Sequence, residues 1–131
     1  MNIQIKRIYD PVASSDGWRV LVDRLWPRGV AKEMAAIDEW AKECAPSPAL
    51  RKWYGHDPDK WVKFCRSYQH ELQEKTDHLA YMLERCPEKT LTLLFAAKDV
   101  DHSHAVVLMK VLRNQLKTHS RHHCSICMEA K

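Results

Sequence analysis

The chain has 131 residues, 45% hydrophobic and 29% charged, with a net charge of +4. That length supports one core without disulfide staples, in the balance of an ordinary globular domain. A pI near 8.8 is mildly basic, short of the value above about 9 that marks a nucleic-acid binder by itself. No apolar run approaches the roughly 18 residues of a membrane span. The opening Met-Asn-Ile-Gln-Ile-Lys-Arg lacks the apolar core of a secretory signal. A soluble cytoplasmic protein with no membrane partner is therefore expected. The five cysteines (Cys44, Cys65, Cys86, Cys124 and Cys127) are odd in number. The first three fall at positions that read as helical, which suits reduced thiols packed as small hydrophobes.

Residues 3–9 alternate Ile-Gln-Ile-Lys before Arg7-Ile8-Tyr9, the pattern of a first strand. Asp10-Pro11 closes it, and Ser14-Ser15-Asp16-Gly17 is loop chemistry. A second strand is expected over 19–25, opening from Trp18. Its apolar Val20-Leu21-Val22 runs abruptly into Asp23 and Arg24, followed by Arg28 on a turn favoured by Pro27 and Gly29. The gap between these strands is under ten residues and leaves no room for a helical crossover. They should be antiparallel if adjacent, or else lie apart in the sheet.

After Gly29, Met34, Ile37, Trp40, Ala41 and Cys44 stand at helical spacing, although 35–40 could also run extended. Ser47 as N-cap, Pro48 at the first position and Gly55 as terminator mark a short helix over 48–54. Asp57-Pro58 repeats that start signal for a long helix over 58–86, with a break near Thr76-Asp77. Residues 90–97 are a second buried strand closed by Lys98-Asp99, and Asp101 can cap a last helix over 102–116. The long helical connection between the two buried strands makes them parallel. The expected fold is α/β: a small central sheet with at least two parallel strands, flanked by helices, in a single domain over 1–117. Residues 118–131 follow as a basic, flexible tail containing His and Cys.

Parallel neighbours would bring Asp23, Arg24, Arg28, Lys98 and Asp99 to one edge of the sheet, with His102, Ser103 and His104 opening the last helix beside them. Open α/β sheets bind ligands at that carboxyl edge, and a helix amino terminus adds a partial positive charge. Arg24 and Arg28 offer bidentate donors for phosphate or carboxylate. The alternative is that these charges pair among themselves to close the sheet. His104 could act as base or acid, or merely cap a backbone group. Ser103 has no convincing partner as a nucleophile, and His56-Asp57 reads as turn structure. Trp26, between the arginines, is the tryptophan expected at the site; Arg7 is expected to join it. Within the tail, His119 to Cys127 hold three His and two Cys. His122, His123, Cys124 and Cys127 could make a tetrahedral zinc site, against the plainer reading of a disordered basic tail.

The run Gly17-Trp18-Arg19-Val20-Leu21-Val22-Asp23-Arg24-Leu25-Trp26-Pro27-Arg28-Gly29 resembles the YeaO-like family of small cytoplasmic bacterial proteins. Lys6 to Asp10, Ala45-Pro46-Ser47, Leu50 to Pro58, Ala96-Ala97-Lys98-Asp99 and His104-Ala105 carry the same resemblance, which runs from Met1 to about Leu116. It implies an α/β fold and supplies no established reaction. Members of the broader group look as if they carry Cys-His-Arg at the start of the last helix. Here the stretch reads Ser103-His104-Ala105, so cysteine-based chemistry is not carried over. Acids interrupt the positive charge and confine it to one edge, which favours a small anionic ligand, bound or turned over. The alternative is a nucleic-acid-binding or regulatory protein using Arg7, Arg24, Arg28 and Arg51.

Overall fold

The computed structural model describes the backbone of residues 1–129 and the side chains of residues 1–117. Four strands form one all-parallel sheet: β1 (Asn2–Arg7), β2 (Trp18–Leu21), β3 (Glu39–Trp40) and β4 (Thr90–Phe95). Their order is β1-β4-β2-β3. The two most apolar strands, β4 and β2, are adjacent, as expected for strands covered on both faces. The first two strands lie apart, each flanking β4, with Val20 opposite Leu93 and Ile5 opposite Leu93 from the other side.

Alternation of side chains divides the core in two. On one face Ile3, Val20, Val22, Leu91, Leu93 and Phe95 meet all the longer helices. These are α2 (Pro48–Tyr54), α3 (Trp61–Gln73), α4 (Thr76–Arg85) and α5 (His104–Glu129). They contribute Leu50, Phe64, Tyr68, Leu72, Leu79, Met82, Leu108 and Leu112. On the other face Ile8, Leu21 and Leu94 are covered by Trp26, Val30, Ile37 and Trp40, drawn from irregular chain. The longer helices therefore cover only one side.

Two expectations are corrected. The second strand stops at Leu21 rather than running to residue 25. Val22 N–H still bonds Leu94 O, but one residue on, the Asp23 carboxylate takes the Ala96 N–H and replaces the ladder. The helix anticipated from Met34 to Cys44 is reduced to α1 (Lys32–Ala35), ended by Ala36 in the left-handed conformation, φ 50°. The extended alternative for this stretch is what forms at Glu39–Trp40. Asp38 N–H and Ala41 N–H bond Arg19 O and Leu21 O, so the chain satisfies the open edge of β2 instead of its own helix. Tertiary pairing overrides a local pattern here, and Met34 is left 77% exposed.

The other helices follow their signals. Ser47 Oγ accepts from Leu50 N–H, and Gly55 ends α2 at φ 53°. The break in the long helix falls between Gln73 and Thr76. The last helix departs from its signal: it opens at His104 rather than 102, and in the turn ahead of it the Asp99 carboxylate accepts from the His102 N–H. No helix among the described residues is long and apolar enough to cross a membrane.

Candidate functional site

Because all four strands are parallel, their carboxyl ends share one edge, and a cleft of about 660 Å³ opens there. The segment after β2 supplies Asp23, Arg24, Leu25, Trp26, Pro27 and Arg28 to it; the segment after β4 supplies Ala96 to Asp99. Helix α2 contributes Arg51 and Tyr54, and the start of α5 contributes Ser103 and His104. The juxtaposition expected from strand pairing is present, in a concave form.

Two groups fix the strand ends. The Asp23 carboxylate accepts from Ala96 N–H at 3.0 Å and faces His104 Nε2 at 3.2 Å. His104 Nε2 also lies 3.0 Å from Val22 O. With a carbonyl as acceptor, Nε2 carries the hydrogen, which leaves Nδ1 as the nitrogen of neutral His104 that can accept a proton. His104 thus ties α5 to the end of β2, and Asp23 ties β2 to β4. Tyr68, wholly buried behind them, donates to Cys44 O and packs edge-on to His104 at 6.2 Å.

Arg7 supports the site from outside it. Its Nε and Nη2 donate to Ala97 O and Ala96 O at 3.0 and 3.2 Å, and its guanidinium lies 5.1 Å from the Tyr9 ring. Tyr9 OH in turn donates to Arg28 O at 2.8 Å. Trp26 lines the cleft while its Nε1–H bonds Val30 O and its ring meets Trp40 edge-on at 5.4 Å. Asp99 accepts from the His102 ring at 2.8 Å. That bond holds the Asp99 carboxyl below its usual range, against a smaller opposing effect of desolvation. Tyr54 OH donates to His102 O, and burial pushes its phenol up.

The cations are answered poorly. Arg24 is half-buried; its Nε is sealed from solvent with no acceptor, and Nη2 has only Ala45 O and Pro46 O, both at 3.4 Å. Among the described residues, the carboxylate partners within 4 Å of a basic group are Asp16, Asp23, Asp99 and Glu39, and none of them serves Arg24, Arg28, Arg51 or Lys98. The mutual ion pairing weighed as an alternative does not form. Asp23 and Asp99 are engaged by backbone and histidine instead.

Arg51 is expected from the sequence only as a nucleic-acid contact, and Tyr54 and His56 are not expected at the site. Arg51 and Tyr54 stand three apart on α2, so a shared face was readable, but not which face met the strand ends. The tail residues His122, His123, Cys124 and Cys127 lie outside the residues whose side chains are described. Among the described residues no group of three or more His, Cys, Asp or Glu is placed to hold a metal ion.

The chain is 44% identical over 114 residues to the uncharacterized protein YeaO of Escherichia coli (strain K12), covering 87% of this chain and 99% of that one. It is 36% identical over 113 residues to the uncharacterized protein Rv3073c of Mycobacterium tuberculosis, covering 86% and 95%. No solved structure is a significant match. A family model described as DUF488-N3i, the inactive DUF488-N3 subclade, matches residues 2–128, which carries the likeness past Leu116 into the tail. By extent and identity together, this chain belongs to the YeaO-like DUF488-N3i family.

Proposed function

We propose that the carboxyl-edge cleft binds an anionic small molecule, phosphate- or carboxylate-bearing, through Arg24, Arg28, Arg51 and Lys98. One observation carries the reading: four basic side chains line one concavity, and no carboxylate of the described residues neutralises any of them. Arg24 is the most telling, since a half-buried guanidinium with an orphaned N–H and two long bonds gains most from an added acceptor. Convergence of the cations on one concavity favours a small ligand over nucleic acid, which calls for a broad basic face.

Binding is favoured over covalent catalysis. Ser103 stands where the resemblance places a cysteine, and its buried hydroxyl donates to Val100 O at 2.8 Å. The family's description as an inactive subclade agrees. An acid–base step by His104 would run through Nδ1, because Nε2 is held by Val22 O.

Titrating the full chain with inorganic phosphate at low ionic strength, followed by amide shifts, tests this. Shifts should concentrate in residues 23–28, 96–99 and around Arg51. No shifts, or shifts spread evenly over the basic surface, would remove the reading.

A further inference from the structure

We propose that His56 is an anion-binding residue of this cleft and that its protonation tightens the hold on the ligand; the inference rests on the anion-site reading above. Three histidines line the cleft: His56, His102 and His104. Two of them are committed within the protein. The His102 ring meets the Asp99 carboxylate at 2.8 Å, and His104 Nε2 meets Val22 O and Asp23. His56 is exposed, and no carboxylate of the described residues lies within 4 Å of its ring.

The backbone sets His56 at the rim at some cost. Helix α2 ends with Gly55 at φ 53°, and His56 follows it in the left-handed region at φ 58°. Glycine adopts that region freely, whereas a side chain there adds strain. Pro58 confines Asp57 to extended backbone, which fixes the far side of the corner. The His56 ring stands 6.0 Å from the ring of Tyr54, which is part of the cleft wall. Tyr54 is itself immobilised: it stacks on Phe64 at 4.2 Å and its OH donates to His102 O. The imidazole is thus carried on a fixed mount beside the cations.

The charges around it decide what a proton there would do. Arg51 shares α2 with Tyr54, and Arg24, Arg28 and Lys98 reach the cleft from the strand ends. Asp57, the next residue, gives its Oδ1 to the Asp59 N–H. Asp23 and Asp99 keep their charge, but each is held beside a histidine of its own. A proton on His56 therefore has no carboxylate of its own to meet, and an anion in the cleft would supply the partner. Imidazole is the side chain that ordinarily changes charge between pH 5 and 8. By linkage, a ligand that favours the protonated ring binds more tightly as pH falls, and its binding draws a proton onto that ring.

Sulfate is the probe, because it keeps its charge across the range in which phosphate titrates. Its affinity for the full chain, measured by calorimetry at constant low ionic strength, should rise about threefold to fivefold from pH 8 to pH 5.5. His56→Asn keeps a residue that tolerates the left-handed corner and removes the titrating ring, so this rise should be lost. Followed by the ring C–H resonances, the titration midpoint of His56 should move to higher pH in saturating sulfate. Affinity that does not change with pH, an equal rise in His56→Asn, or an unmoved midpoint overturns the inference and leaves the anion site standing. No binding of sulfate or phosphate at any pH in this range overturns both this inference and the proposed function.

Discussion

Arg19 and Arg24 lie in one short segment of the chain, yet the fold treats them in opposite ways. Arg19 points to the loop-covered face of the sheet, 4% exposed, and every arm of its guanidinium is answered. It pairs with Asp16, and its Nε and Nη2 donate to Ala36 O and Ala35 O at 2.9 and 3.0 Å. Lys6 reaches the same carboxylate at 3.0 Å, Ala13 N–H donates to it, and Thr92 Oγ1 donates to Asp16 O at 2.6 Å. Arg24, past the strand end, has two long bonds and an orphan. A buried charge is tolerated when paired and fully hydrogen-bonded. Arg19 meets that condition within the protein, whereas Arg24 meets it only with something added. The first cluster closes a face that none of the longer helices covers, and the second lines a cleft.

The sharpest way to break this contrast is Arg19→Ala. It strands the Asp16 carboxylate with Lys6 and leaves two alanine carbonyls unpaired, so chemical denaturation should show a loss of about 3–5 kcal/mol. A loss under about 1 kcal/mol would make the cluster an ordinary surface pair. Next in size is Gly17→Ala, at the same closure. Gly17 has φ 63°, and an added Cβ would meet Thr90 O at 2.3 Å. The expected loss is about 2–3 kcal/mol, and an unchanged melting temperature would deny the close approach of this loop to β4.

The pH response separates the two regions further. Burial is the largest influence on Asp16 and raises its pKa. The Ala13 N–H, Lys6 and Arg19 together outweigh it, so the group titrates below its usual value. A lowered folded-state pKa means this contribution to stability is fully present above the unfolded-state value, about 3.9, and is lost as pH falls through the folded one. Wild type should therefore exceed Asp16→Asn by a constant margin near neutrality, a margin that narrows only in acid below about pH 4. A margin that already shrinks between pH 7 and 5 would contradict the assignment. The smallest effect is expected at the cleft. Arg28→Ala should change stability by no more than about 0.5 kcal/mol while weakening phosphate binding. A loss of several kcal/mol would place Arg28 in a structural network like that of Arg19.

Much was readable without coordinates. Ser47-Pro48 and Gly55 set α2 because capping and left-handed φ are properties of single residues. The apolar runs at Val20–Val22 and Leu91–Phe95 were legible as buried strands because covering both faces demands continuous apolar sequence. Their parallel pairing followed from the length of the connection, and with it the gathering of Asp23, Arg24, Lys98 and His104 at one edge. What local signals misjudged was decided by partners far away in the chain. Trp40 and its neighbours had helical spacing but took extended pairing, because β2 had an open edge to satisfy. Arg19 carried no sign that it would be buried while Arg24 would line a cleft. Both are arginines beside an apolar strand, and only the placement of Asp16 under one and its absence from the other distinguishes them. The sequence by itself determined which segments could be buried and where charge would collect. Which of those charges were neutralised within the protein depended on how the turn ahead of β2, tied to Thr92 of β4, holds Asp16 beneath Arg19, and only the tertiary structure decided that.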